Sequence, residues 1–136
     1  MRILVLEDED SIRRMISALV TARGFTVVAV SSGVKALDEL QKELPDVAIL
    51  DLMVPGAFDG FEVIARIRQD PHTAQLPVIV ISALDDAGSR KRAMDAGATT
   101  YFAKPFSAIA LLKELEAIKA GRGSGASTPS MRAVKG

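Results

Sequence analysis

Five short apolar runs, rich in Val, Ile and Leu and without polar alternation, set the narrowest limit on how this chain folds. They occupy residues 3–6, 27–30, 47–50, 78–81 and 101–103. A half-buried strand alternates apolar with polar residues. A run that is apolar throughout fits a strand covered on both faces, as in a parallel sheet. Between the runs the spacing becomes helical. Ile12, Met15, Ile16, Leu19 and Val20 follow the i, i+3, i+4, i+7 rule, with Gly24 placed to stop the helix in the left-handed region. Val34, Leu37, Leu40 and Leu44 mark a second helix, with Ser31 or Ser32 as its cap. Phe61, Ile64 and Ile67 mark a third, closed by Asp70-Pro71. Residues 86–96 offer a fourth helix with small apolar residues only, expected to be the least firmly docked. Ile109, Leu112, Leu115 and Ile118 mark a fifth, with Ser107 as cap.

Strand and helix alternating five times imply right-handed crossovers and helices on both sheet faces. The expected fold is α/β: a flavodoxin-like (βα)5 three-layer sandwich whose five-stranded parallel sheet runs in the order 2-1-3-4-5. The domain is expected over residues 1–120. Residues 121–136, rich in Gly, Ser, Ala, Thr and Pro, read as a flexible tail or the start of a linker.

Composition narrows the chemistry. Seventeen basic and seventeen acidic residues cancel, so no global field favours nucleic acid or an anionic membrane. The chain has no cysteine, which excludes disulfides, thiolate nucleophiles and cysteine-ligated metals. No apolar stretch approaches the roughly 20 residues needed to span a bilayer. Met1-Arg2 leads straight into the first run, which leaves no room for a signal peptide, and the expected location is the cytoplasm.

Four of the runs end in reactive side chains: Glu7 and Asp8, then Asp51, Ser82 and Lys104. In an open α/β sheet, ligands bind beyond the carboxyl ends of the strands, so these residues converge. Neighbouring strands lie about 4.8 Å apart. Short side chains on strands 1 and 4 therefore reach Asp51, while a group on strand 5 needs the long stem of Lys104. Three carboxylates so close oppose one another's ionisation. A hard divalent cation relieves them, and Mg²⁺ suits a site with few carboxylates and a phosphate. Asp51 is then the nucleophile for an acyl phosphate, Lys104 neutralises developing charge, and Ser82 donates a hydroxyl.

Leu6-Glu7-Asp8, Asp51-Leu52-Met53-Val54-Pro55, Ser82-Ala83 and Tyr101-Phe102-Ala103-Lys104-Pro105-Phe106, in this order and at strand ends, resemble a CheY-like response-regulator receiver domain of two-component signalling. The resemblance implies Asp51 as phosphoacceptor and Mg²⁺ held by Glu7, Asp8, Asp51 and the Met53 backbone carbonyl. Lys104 would pair with the phosphate, and Ser82 with Tyr101 would form the switch. It further implies a sensor histidine kinase or phosphotransfer protein as donor, and a downstream target bound through the fourth helix, fifth strand and fifth helix. An activation-dependent dimer is compatible with it. The module would catalyse phosphotransfer only onto and off its own aspartate. One departure stands out: residues 55–60, Pro-Gly-Ala-Phe-Asp-Gly, are one residue longer than the family's segment.

Two other readings compete. A phosphohydrolase of the aspartyl-phosphate kind needs a second acid two residues after its nucleophile, where Met53 stands here. An unphosphorylated protein–protein interaction module on the same scaffold would need neither the acids nor the lysine. His72 reads as an exposed loop residue, and Arg90, Lys91 and Arg92 as a solvated helix face. Arg122, Arg132 and Lys135 are too sparse for nucleic acid.

Overall fold

Each apolar run becomes a strand. The structure, a computed structural model, describes residues 1–121. Its elements are β1 (Arg2–Leu6), α1 (Asp10–Thr21), β2 (Thr26–Val30), α2 (Gly33–Lys42), β3 (Val47–Asp51), α3 (Gly60–Gln69), β4 (Val78–Ser82), α4 (Ala87–Ala96), β5 (Thr100–Ala103) and α5 (Ala108–Lys119). The described strands form one parallel sheet in the order β2-β1-β3-β4-β5, the flavodoxin-like arrangement expected. The chain divides into two units, Met1–Lys104 and Pro105–Gly136. The first holds the sheet and α1 to α4. The second holds α5, whose cap is Ser107 accepting from the Ala110 amide at 3.1 Å. Apart from Gly121, the tail expected over residues 121–136 lies outside the described residues.

Side chains on a strand alternate between faces, so the sheet of the first unit has two cores. Leu4, Leu6, Leu50 and Val80 pack with Leu40 of α2, Ile64 and Ile67 of α3 and Ala93 of α4. Ile3, Val5, Val47, Ile49, Ile79 and Ile81 point the other way and are also fully buried, as are Ile16 and Val20 of α1. Each large aliphatic side chain removed from water contributes about 1.5–3 kcal/mol. The expectation of burial on both faces holds for β1, β3 and β4 but not for β2 and β5. Those are the sheet edges, and most of their residues are only half-buried or exposed.

Helix starts follow the sequence chemistry. Ser32, not Ser31, caps α2 by accepting from Lys35 N, Asp59 caps α3 through Glu62 N, and Asp86 caps α4 through Ser89 N. Gly24 takes φ 85° as expected, although α1 has already ended at Thr21 and the glycine closes the turn after it. Leu44 falls beyond α2, and Met15, Val34 and Ile109 are exposed rather than part of the buried stripes.

Of the residues of α4, only Ala93 is fully buried, in keeping with the thin stripe read from the sequence. Cations help to hold the helix. Arg90 and Arg92 are exposed, yet Arg90 lies 4.4 Å from the Tyr101 ring centroid and Arg92 lies 3.8 Å from that of Phe61. The solvated face expected for residues 90–92 is therefore in part a face stacked on aromatic rings. At the other end, Arg68 of α3 donates to Gly97 O through Nε at 3.0 Å and Nη2 at 2.7 Å. Its Nη1 reaches Leu76 O at 2.6 Å and Ala74 O at 3.1 Å. Burial lowers the pKa of this guanidinium. His72 is an exposed loop residue, as read.

Candidate functional site

The sheet register levels the strand ends. Leu6 stands beside Leu50, Asp51 beside Ile81, and Ser82 beside Ala103. Glu7, Asp51, Ser82 and Lys104 are therefore the last or next residues of four consecutive strands. One carboxylate oxygen from each of Glu7, Asp8 and Asp51 lies within 4.8 Å of the others. Glu7 is fully buried, Asp51 is 3% exposed, and Asp8 is exposed and opens the cluster to solvent. Neither Glu7 nor Asp8 is used as a helix cap: the N-cap of α1 is Glu9, which makes no side-chain cap bond.

Lys104 spans the distance anticipated from strand spacing. Its Nζ lies 2.9 Å from Asp51 Oδ2 and 2.8 Å from Glu7 Oε1. The first contact is a hydrogen bond; the second is an ion pair, and Glu7 Oε1 makes no well-directed hydrogen bond. The other Glu7 oxygen accepts from Glu9 N at 3.1 Å, and Asp51 Oδ1 accepts from Met53 N at 3.1 Å. Burial pushes the Glu7 pKa up, against the pull of Lys104. For Lys104, burial works downward, but the close carboxylates of Glu7 and Asp51 outweigh it and the pKa is raised. The donor set, three hard carboxylates with one exposed member, fits a divalent cation with oxygen ligands.

Ser82 and Tyr101 are both buried, and they meet at one residue that sequence reasoning did not single out. Ser82 Oγ accepts from Leu84 N at 3.1 Å, and Tyr101 OH donates to Leu84 O. Met53 is 56% exposed, its amide turned toward Asp51. The 55–60 loop is pressed onto its surroundings at two glycines. A Cβ on Gly33 would lie 2.2 Å from Phe58 O, and one on Gly60 would lie 2.3 Å from Asp51 O. Phe58 also carries the Arg66 guanidinium 4.5 Å from its ring centroid.

Residues 3–116 match the response regulator receiver domain, and the chain belongs to that family. It is the signalling module of a two-component system. Among curated relatives, the phosphate regulon transcriptional regulatory protein PhoB of Rhizobium meliloti is 38% identical over 117 residues, covering 86% of this chain and 51% of PhoB. The chain spans between 26% and 51% of the length of such relatives. Among solved structures, the chemotaxis response regulator CheY4 of Vibrio cholerae superposes with a TM-score of 0.79 at 29% identity, over 86% of this chain and 97% of that one. The receiver domain of a Pseudomonas aeruginosa sensor histidine kinase, with a magnesium ion coordinated in its active-site cleft, gives 0.78 at 28% identity, over 85% and 93%. Receiver domains bind Mg²⁺ at an acidic pocket and interact with histidine kinases or phosphotransfer proteins and with downstream targets. Among the described residues, no helix is long and apolar enough to cross a membrane.

Proposed function

We propose that the chain takes a phosphoryl group from a histidine kinase or phosphotransfer protein onto Asp51, and that the charge gained there alters binding to a downstream target. The observation that carries this reading is Lys104 Nζ held between Asp51 Oδ2 and Glu7 Oε1, with Asp8 completing the acidic cluster.

Asp51 has both carboxylate oxygens oriented, one by Met53 N–H and one by Lys104. One of them attacks phosphorus in line: the new O–P bond forms as the N–P bond to the donor imidazole breaks, and the imidazole leaves. Lys104 then follows the charge onto the transferred oxygens. Ser82 Oγ, at the adjacent strand end, supplies a hydroxyl donor once it turns from Leu84 N. Glu7, Asp8, Asp51 and the Met53 carbonyl would hold Mg²⁺, which when bound spreads the negative charge of the transferred group.

Tyr101 and Ser82, both tied to Leu84, would pass the change to α4 and β5, where shallow burial keeps rearrangement cheap. In this reading the receiver spans residues 1–120, acts in the cytoplasm, and has no turnover beyond loading and unloading its own aspartate. The test is labelling by acetyl phosphate with Mg²⁺ and with EDTA. The wild type is expected to be labelled only with Mg²⁺, and Asp51→Asn not at all. Phosphate still entering this site in Asp51→Asn would refute the assignment.

A further inference from the structure

Arg13 lies on α1, outside the acidic cluster, but reaches back to the main chain that carries two of its members. Its Nη1 donates to Glu7 O at 3.0 Å and Asp8 O at 3.3 Å, and its Nη2 is bonded to the Asp10 carboxylate. Glu7 N–H still donates to Val30 O at 3.1 Å, but the carbonyls of Glu7 and Asp8 lie past the last paired residue of β1. The Glu9 side chain makes no cap bond, and Glu9 N–H joins the start of α1 to the Glu7 side chain rather than to these carbonyls. The guanidinium holds the carbonyls themselves. Asp10 anchors it from the far side.

We infer that Arg13 is a positioning residue for the acidic site: by gripping two successive carbonyls it sets the directions in which the Glu7 and Asp8 side chains leave the backbone, and so their convergence on Asp51. The inference rests on the reading of Glu7, Asp8 and Asp51 as a Mg²⁺ site. The role requires a planar fork that bonds several acceptors at once, which lysine does not provide.

Charge and geometry predict opposite signs here. Removing a nearby positive charge should, by Coulomb's law alone, tighten binding of a cation. Loss of positioning should weaken it. Mg²⁺ binding to the full chain, followed by calorimetric titration and by backbone amide shifts, separates the two. Arg13→Gln is expected to weaken Mg²⁺ about tenfold, within the range for groups that orient metal ligands. Arg13→Lys keeps the charge and is expected to weaken binding nearly as much. Arg14→Gln, an exposed neighbour making none of these bonds among the described residues, should leave affinity within about twofold. Circular dichroism without Mg²⁺ confirms that each variant folds; if Arg13→Gln does not, Arg13→Lys carries the test. Affinity equal to or tighter than wild type in the folded variants would overturn the inference. A wild type that takes up no Mg²⁺ would instead overturn the metal reading beneath it, and the inference with it.

Discussion

Replacing Glu7 by Gln should make the metal-free protein more stable while weakening its cation site. The Glu7 carboxylate is fully buried, 2.8 Å from Lys104 Nζ and with an oxygen within 4.8 Å of one from Asp51. At an effective dielectric constant of about 20, the attraction to the lysine is worth about 6 kcal/mol and the repulsion from Asp51 at least about 3.5 kcal/mol. Removing the carboxylate from water costs several kcal/mol more. The raised pKa of Glu7 shows that burial prevails over the lysine.

The folded protein therefore binds this proton more readily than the unfolded chain does. The contribution of Glu7 to stability is fully present below its unfolded pKa of 4.5 and is lost as pH climbs through the higher folded value. Gln has nearly the same shape and no charge; its single oxygen can accept from Glu9 N or from the Lys104 ammonium but not both, which takes back part of the gain. Glu7→Gln is expected to gain about 1–2 kcal/mol at pH 7, and the gain should shrink toward pH 4.5 as the wild type protonates Glu7 for itself. Urea unfolding in EDTA across this range measures it. Saturating Mg²⁺ should reverse the order, since the wild type gains more from the ion. A folded Glu7→Gln protein no more stable than wild type at pH 7, or a gain that does not change with pH, would refute the reasoning.

Arg68→Leu removes a cation whose bonds serve Gly97, Leu76 and Ala74 carbonyls, and should cost about 2–4 kcal/mol in urea unfolding, with faster amide exchange at the end of α4. Gly33→Ala places a Cβ 2.2 Å from Phe58 O; although alanine favours helices, overpacking should leave the protein about 1–3 kcal/mol less stable in the same measurement. Arg90→Gln uncovers the ring of the chain's single tyrosine in a protein without tryptophan. Its emission should become more accessible to acrylamide while stability falls by no more than about 1 kcal/mol.

The strands, their order and the convergence of Glu7, Asp8, Asp51 and Lys104 were legible because each rests on local rules: unbroken apolar runs, right-handed crossovers, and side-chain length set against strand spacing. The half-exposed edges were not, since Val27 and Val28 have the same composition as buried residues of β4 and only sheet order tells them apart. Arg68 was overlooked because its acceptors come from two separate loops. Its place four residues after Ile64, on the buried stripe of α3, was a usable signal. Leu111 likewise stands four before Leu115 and is buried, whereas Ile109 is exposed. Arg90 and Arg92 looked like solvated helix residues, and the bonds of Arg13 drew no reading, since no periodicity reveals a partner carbonyl or ring.

Leu84 meets Ser82 through its N–H and Tyr101 through its C=O, so the side chain at this position takes no part in either bond. A relay whose atoms at this position are all main chain does not depend on side-chain chemistry here: another apolar residue that packs as Leu84 does would keep the connection. Proline, which lacks the donor, is the residue that would cut it. The side chain of Leu84 packs against the core cluster, so its identity answers to packing, independently of the wiring between the two hydroxyls.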